Sequence, residues 1–412
     1  MRFHKILYFF IFSLIVFTGC GTETGTQSEL STEVIQVEEE PVEPVEPTLL
    51  IWSYTDEFLT ELDAFEREQS CKIEFELIEI NSFEEMVATR IEEGEKPDII
   101  ISDYESLMGD TLDKYIQPLN NFSRDYQIDR HLNENMLARS YDESGKMRGL
   151  SYHMTPIAIF YRRSLARQVL GTDDPKEIAK YYMTIDTIYE LGLRLKEHEI
   201  GLVPDPYALR HFVPPVSIEE ADMEADLDQW RKYLTTINNI KRNKLTPFYV
   251  EWSKEWFGGM RENVFSYVLP NWGLSQILFM STEETSGDWG IVRGPYSREW
   301  GGTWLSMTQV GEENELAEKF FEYVLLDEEH QKNWIGDTYH VSSHNLVQKS
   351  QTYTAGNTFL GGQDYHQTFK YIIDAGLEQS AKDQFLEDVT IRYINDEFHT
   401  IDEVIDVLDE SR

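Results

Sequence analysis

TLLIWSYTDE (residues 48–57), KIEFELIEI (72–80) and PDIIISDYE (97–105) are three short apolar runs bounded by polar residues. The first and third suit buried strands, and the second alternates at Ile73, Phe75 and Leu77 like a strand with one buried face. Between the first two runs, Phe58, Leu62 and Phe65 recur at helix spacing. Between the second and third, Ser82 and Glu85 have capping-box spacing ahead of Met86, Val87 and Ile91, and Gly94 supplies a stop. This β-α-β-α-β order predicts an α/β fold with a parallel, doubly wound sheet. Ligands of such sheets sit beyond the carboxyl ends of the strands. Those ends carry Tyr54, Asp56 and Glu57 in one place and Asp103 and Tyr104 in another, so these five are candidate ligand residues. Thr55 or Asp56 could instead cap the helix that follows.

Downstream of Gly149, LSYHMTPIAIFY (150–161) reads as a strand. Residues 173–279 are mostly helical in pattern and rich in Trp and Tyr. GDWGIVRGP (287–295) and WGGTWLSMT (300–308) read as further strands. ELAEKFFEYVLL (315–326) is an amphipathic helix through Leu316, Phe320 and Val324.

Upstream lies MRFHKILYFFIFSLIVFTGC. Arg2 and Lys5 precede an uncharged apolar run over residues 6–17, then the small residues Thr18 and Gly19, then Cys20. The run is too short to span a membrane, which needs about 20 residues, so residues 1–19 read as an export signal. The cysteine after small residues resembles a bacterial lipobox, which implies diacylation at Cys20. Phe17 stands where that pattern usually has leucine, and an uncleaved N-terminal anchor is the alternative. Residues 20–47 contain no Lys or Arg and end in EEEPVEPVEP, so they read as a disordered, acidic, Pro-rich tether.

With 412 residues, 41% of them hydrophobic, the chain can bury two cores. Cys20 and Cys71 are its two cysteines, which leaves no internal disulfide once Cys20 is acylated. A formal charge of −39 repels nucleic acid and anionic lipid headgroups and argues against both as partners. The sequence contains no P-loop, no G-x-S-x-G and no H-E-x-x-H, and its histidines lack ligand spacing. Asp222, Glu224, Asp226 and Asp228 begin like a calcium loop, but Leu227 replaces the glycine and Tyr233 the closing glutamate, so they read as an acidic helix face. No catalytic residue, metal or cofactor is expected.

Several segments together resemble one family. They are IWSYTDE (51–57), KPDIIISD (96–103), RGLSYHMTPIAIFYRRSLA (148–166), WGIVRGPYSREWGGTWLSMT (289–308), FLGGQDYHQTF (359–369) and INDEFHTIDEVIDVL (394–408). In this order, on a lipoprotein-like chain, they resemble the extracellular solute-binding proteins of ATP-binding-cassette importers. The nearest group is the carbohydrate-binding family 1, which is maltose-binding-protein-like. The resemblance implies a two-lobed periplasmic-binding-protein-like fold of type II whose hinge is crossed three times. Lobe 1 would be residues 48–150 plus 297–336, and lobe 2 residues 151–296 plus 337–412, with crossings near 149–153, 290–296 and 336–343.

The same resemblance implies a lipid-anchored monomer on the outer face of the cytoplasmic membrane. It would capture a sugar or oligosaccharide between its lobes and deliver it to an ABC permease. Sugars offer flat CH faces and rings of hydroxyls, which suit aromatic planes flanked by carboxylates. Trp272 (in PNWGL) lies where relatives often place a cleft tryptophan. Trp300 and Gly302 lie at a lobe entry, Tyr152 at the first crossing and Asp364 near the cleft. Trp304 is expected to be half-buried; Trp252 and Trp256 are either further platforms or, the favoured reading, packing of the second lobe. The same fold binding a peptide, polyamine or metal complex is the alternative, and a surface glycosidase a distant one.

Overall fold

The computed structural model describes residues 46–57, 59–214, 223–350, 358–377 and 383–410. The signal, Cys20 and all of the tether up to residue 45 lie outside the described residues. Among the described residues nine strands form three sheets. In the first, β1 (Thr48–Ser53) lies parallel to both β2 (Lys72–Leu77) and β3 (Ile99–Ser102). The fourth strand, β8 (Trp304–Met307), closes this sheet antiparallel to β3. β4 (His153–Met154) and β9 (Val341–Ser342) form a two-stranded ribbon. In the third sheet, β5 (Ile157–Arg162) lies between β6 (Ser266–Pro270) and β7 (Trp289–Val292), antiparallel to both.

The three opening runs are therefore strands in the expected parallel order. β3 is buried along its whole length, which is why Ile99, Ile100 and Ile101 show no alternation. The same holds for β5: Ile157, Ile159 and Tyr161 pack into one hydrophobic core, while Ala158 and Phe160 pack into another that continues to β1 and β3. Helix Glu315–Leu326 forms as read, capped by the side chain of Asn314 on the Leu316 N–H. Its Phe320 meets Phe65 edge-on at 5.2 Å.

Two local expectations fail. Ser82 and Glu85 make no capping box, because residues Ile80–Ser82 form a 3₁₀ turn that points the Ser82 hydroxyl back to Glu79. The helix that follows, Phe83–Glu92, still stops ahead of Gly94, whose φ of +104° is open to glycine. Trp304 is not half-buried but 1% exposed, pinned under Tyr104 as part of β8. The calcium-like stretch is helical from Met223 to Arg242, as its sequence suggested.

Just beyond β9, residues 344–345 stay beside the first sheet's helices. Leu132 and His344 form a β-bridge, and Asn345 Nδ2 donates to the Leu132 carbonyl at 2.9 Å.

Candidate functional site

Two groups of side chains gather at the strand ends. The first is polar and buried. The chain leaving β1 brings Tyr54 and Glu57, and the chain entering β8 brings Thr303. The Thr303 hydroxyl donates to Glu57 Oε1 at 2.6 Å and pairs with the Tyr54 hydroxyl at 2.9 Å. The Tyr152 hydroxyl donates to the same Glu57 oxygen. His340 Nε2 lies 3.7 Å from the other.

Tyr152 stacks on His153 at 4.5 Å, and the Thr303 N–H donates to His153 Nε2 at 3.0 Å, which leaves the ring proton on Nδ1. Burial raises the Glu57 carboxyl above the usual range, against the hydroxyls of Thr303 and Tyr152, which lower it. Burial also pushes His340 down to about 4, opposed by its bond to the Thr338 carbonyl.

The second group is aromatic and partly open. Trp272 follows β6, and Trp300 precedes β8. Their rings lie 5.5 Å apart, and Trp272 Nε1 donates to the Trp300 carbonyl at 3.4 Å. Trp252 is 6.1 Å from each, tilted only 16° from Trp272. Behind Trp300 are the His211 ring at 4.6 Å and the Arg210 guanidinium at 4.9 Å. Arg210 also lies 3.7 Å over Tyr207, 3.2 Å from Glu251 and 3.8 Å from Glu387.

Burial pushes His211 down to about 4 and Arg210 adds to this, while Glu387, 3.3 Å away, opposes it. Burial alone would raise Glu387, but His211, Arg210 and Arg298 outweigh it and hold the carboxyl low. Glu105, just beyond β3, is raised by burial and then by Asp103, Glu387 and Glu84. Glu105 thus feels the acid beside His211.

Gly302 joins the two groups. Its φ of +114° is a glycine conformation, and a Cβ there would stand 3.2 Å from Trp304 Nε1. Thr155 Oγ1 donates to the adjoining Gly301 carbonyl at 3.4 Å.

The candidates separate accordingly. Trp272 and Trp300 come together in the open group, while Tyr54, Glu57 and Tyr152 come together in the buried one. Tyr104 is half-buried under Arg139, whose guanidinium lies at 4.1 Å and is paired with Glu299 at 2.7 Å. Asp103 caps the short helix Tyr104–Met108 through the Ser106 N–H, and Asp56 is exposed. Asp364 caps helix Tyr365–Asp374 through the N–H groups of His366 and Gln367.

Trp256 is buried as expected, but Trp252 is 46% exposed, contrary to its reading as packing. Sequence reasoning missed Thr303, Tyr207, Arg210, His211, Glu251, Glu387 and His340 as members of these groups. Only Thr303 stood within a quoted motif, between the paired glycines and Trp304.

Residues 62–359 match the family described as bacterial extracellular solute-binding protein. The chain belongs to this family. It is a family of binding proteins rather than enzymes, and its members work outside the cytoplasm. No curated protein sequence matches this solute-binding chain.

Solved structures do match it. A family 1 extracellular solute-binding protein is 16% identical with a TM-score of 0.72, over 87% of this chain and 97% of that one. The sugar-binding protein MalE of Xanthomonas citri is 15% identical with a TM-score of 0.66, over 88% and 96%. A transporter-associated binding protein of B. animalis subsp. lactis, in complex with β-1,6-galactobiose, is 17% identical with a TM-score of 0.62, over 84% and 90%. These matches show the two-lobed periplasmic-binding-protein-like fold. Among the described residues no helix is long and apolar enough to cross a membrane.

Proposed function

We propose that this protein captures a sugar or oligosaccharide between two lobes and hands it to an ABC permease, held to the membrane through a diacylated Cys20. One observation carries the reading: Trp272, Trp300 and Trp252 assemble into a partly open aromatic surface flanked by the carboxyl groups of Glu251, Glu387 and Glu105. Stacking one sugar face on a tryptophan removes roughly 50–100 Å² of apolar surface and contributes about 1–2.5 kcal/mol. Two or three platforms with hydrogen bonds reach the ~8 kcal/mol of a micromolar complex. Beside Trp272, neither amide atom of the fully buried Asn271 has a hydrogen-bond partner among the described residues. A buried polar group left unpaired costs ~1–3 kcal/mol.

Trp272, Trp300, Gly302, Tyr104 and Asp103 are the proposed ligand face. Tyr54, Glu57 and Tyr152 act behind it as the joint through which lobe closure is felt, and Asp364 acts as a helix cap. The lobes follow the division at 150/151, 296/297 and 336/337. The support is that β4 and β9, from the first and third crossings, pair with each other as one ribbon. Only a ligand that binds the closed form better can drive closure.

The facing acids Glu105, Asp103 and Glu387 favour a polyamine or basic peptide as the second reading. A thermal-shift screen of the soluble body against mono- and oligosaccharides, spermidine and peptides separates the two. Saturation at a hundred times Kd adds about 2.7 kcal/mol of stability. A shift with sugars supports the proposal, and a shift with spermidine or peptide alone transfers the site to the second reading.

A further inference from the structure

The short helix Glu134–Arg139 is tied to all three of the proposed crossings between the lobes. At its leading end the Asn133 N–H donates to the Ser343 carbonyl at 2.8 Å, beside the Leu132–His344 bridge, which joins it to the third crossing. At its trailing end Arg139 Nη1 donates to Glu299 Oε2 at 2.7 Å. The other oxygen of the same carboxylate, Oε1, accepts from the Thr155 N–H at 3.0 Å. Thr155 lies just past the first crossing and Glu299 just past the second. The Ser140 carbonyl, one residue beyond the helix, accepts from the Arg148 N–H at 2.8 Å on the approach to the first crossing.

The two segments that meet at Glu299 also share a short backbone ladder. The Trp300 N–H donates to the Thr155 carbonyl at 3.0 Å and the Ile157 N–H to the Arg298 carbonyl at 2.8 Å, around the Pro156–Glu299 bridge. This ladder runs into β5, the central strand of the third sheet, and so belongs mechanically to the second lobe. The Glu299 side chain ties it back to a helix of the first lobe. Arg139 is seated at the end of the first sheet, 4.1 Å over Tyr104 and 5.5 Å from Trp304. The Glu299 side chain is 2% exposed and that of Arg139 13%. Breaking such a pair leaves a buried charge without its counterpart, so the tie is stiff.

We propose that the Arg139–Glu299 pair, at the end of helix Glu134–Arg139, is the strut that sets the angle between the lobes in the absence of ligand. This inference rests on the lobe division given above. One carboxylate carries both bonds, so rotation about the first two crossings must lengthen either the bond to Arg139 or the bond to Thr155. The Asn133–Ser343 bond ties the same helix to the third crossing, so the three crossings turn together rather than singly. Neither residue needs to touch ligand for this. Both are positioning residues, and their loss would leave each half of the candidate face intact but the spacing between the halves loose.

The test is a pulsed electron-spin distance measurement on the full chain without ligand, carrying Cys20→Ser and keeping the buried Cys71. Spin labels on Lys96→Cys and Glu197→Cys, both exposed positions, report across the lobes. Labels on Lys96→Cys and Asp125→Cys, also exposed, report within the first lobe. Arg139→Gln and Glu299→Gln should each widen the across-lobe distance distribution about twofold and leave the within-lobe distribution unchanged. Arg139→Lys keeps the charge but not the planar stack on Tyr104, so it should fold and widen the distribution less. Arg162→Gln breaks a comparably buried pair with Asp288, at 2.8 Å inside the second lobe, and should lower the melting temperature without widening. Unchanged across-lobe width in any folded Arg139 or Glu299 variant, or equal widening by Arg162→Gln, would overturn the inference. Widening within the first lobe would show that the lobe division itself is wrong, and the inference would fall with it.

Discussion

The buried network around Glu57 and the aromatic group around Trp300 lie at neighbouring strand ends but differ in what they leave available. In the first, Glu57 Oε1 and the hydroxyls of Tyr54, Tyr152 and Thr303 already have partners within the chain, and Tyr152 is 1% exposed. In the second, a charged scaffold of Arg210, Glu251 and Glu387 sits behind half-open indole faces. The difference shows that proximity to a strand end is not enough to make a ligand contact. A carboxylate reached by two hydroxyls joins segments of the chain, whereas a ring backed by a guanidinium is held still for something else.

Acid gives the largest contrast. His211 and His340 are each pushed down to about 4 by burial, one ring in each region. Below about pH 6.5 the unfolded chain binds a proton at each ring that the folded chain does not accept until near pH 4. Stability therefore falls as pH drops through that window, on the order of 3 kcal/mol per ring. In the aromatic group the lowered Glu387 carboxyl has the same sign, since its stabilisation is also lost as pH falls.

In the buried network the raised Glu57 carboxyl works the other way: the folded chain keeps a proton that the unfolded chain has released. It is opposed there by His340 and by His153, whose ring burial holds well below the usual range, so the buried rings of both regions resist acid. Urea unfolding followed by far-UV circular dichroism should therefore show lower stability at about pH 4.5 than at about pH 7. Equal stability at the two values would mean that the buried rings do not resist protonation.

Thr303→Val comes next. It removes the hydroxyl shared by Glu57 and Tyr54 and should cost about 2 kcal/mol in urea unfolding, while ligand affinity changes little. Trp272→Ala should do the reverse, weakening the best ligand by about 1.5 kcal/mol in calorimetry. If the valine variant loses binding or the alanine variant keeps it, the two regions have been assigned the wrong way round. Asp364→Ala should be the mildest, costing about 1 kcal/mol of stability through loss of a helix cap, with unchanged affinity. An affinity loss there would return Asp364 to the ligand face.

The sheets were legible because burial leaves a plain mark: Ile99, Ile100 and Ile101 or Ile157 to Tyr161 could hardly be anything but interior strands. Trp272 and Trp300 were legible through their motifs and their position. What stayed hidden was set by partners distant in sequence. Arg210 becomes part of the site only because Glu251 and Glu387 converge on it from two other segments. Ser82 had the right spacing for a capping box and lost it to a local 3₁₀ turn. Trp252 looked like packing, because a positive φ at a tryptophan leaves no trace in composition or period.

β8 completes the first sheet from residue 304 onward, long after β1, β2 and β3 have left the ribosome. Until that late strand arrives, one flank of β3 lacks its partner, and the early segment has no finished core to settle into. Folding of the first sheet therefore waits on a pairing between segments far apart in sequence, and such long-range closure is the slow kind of step.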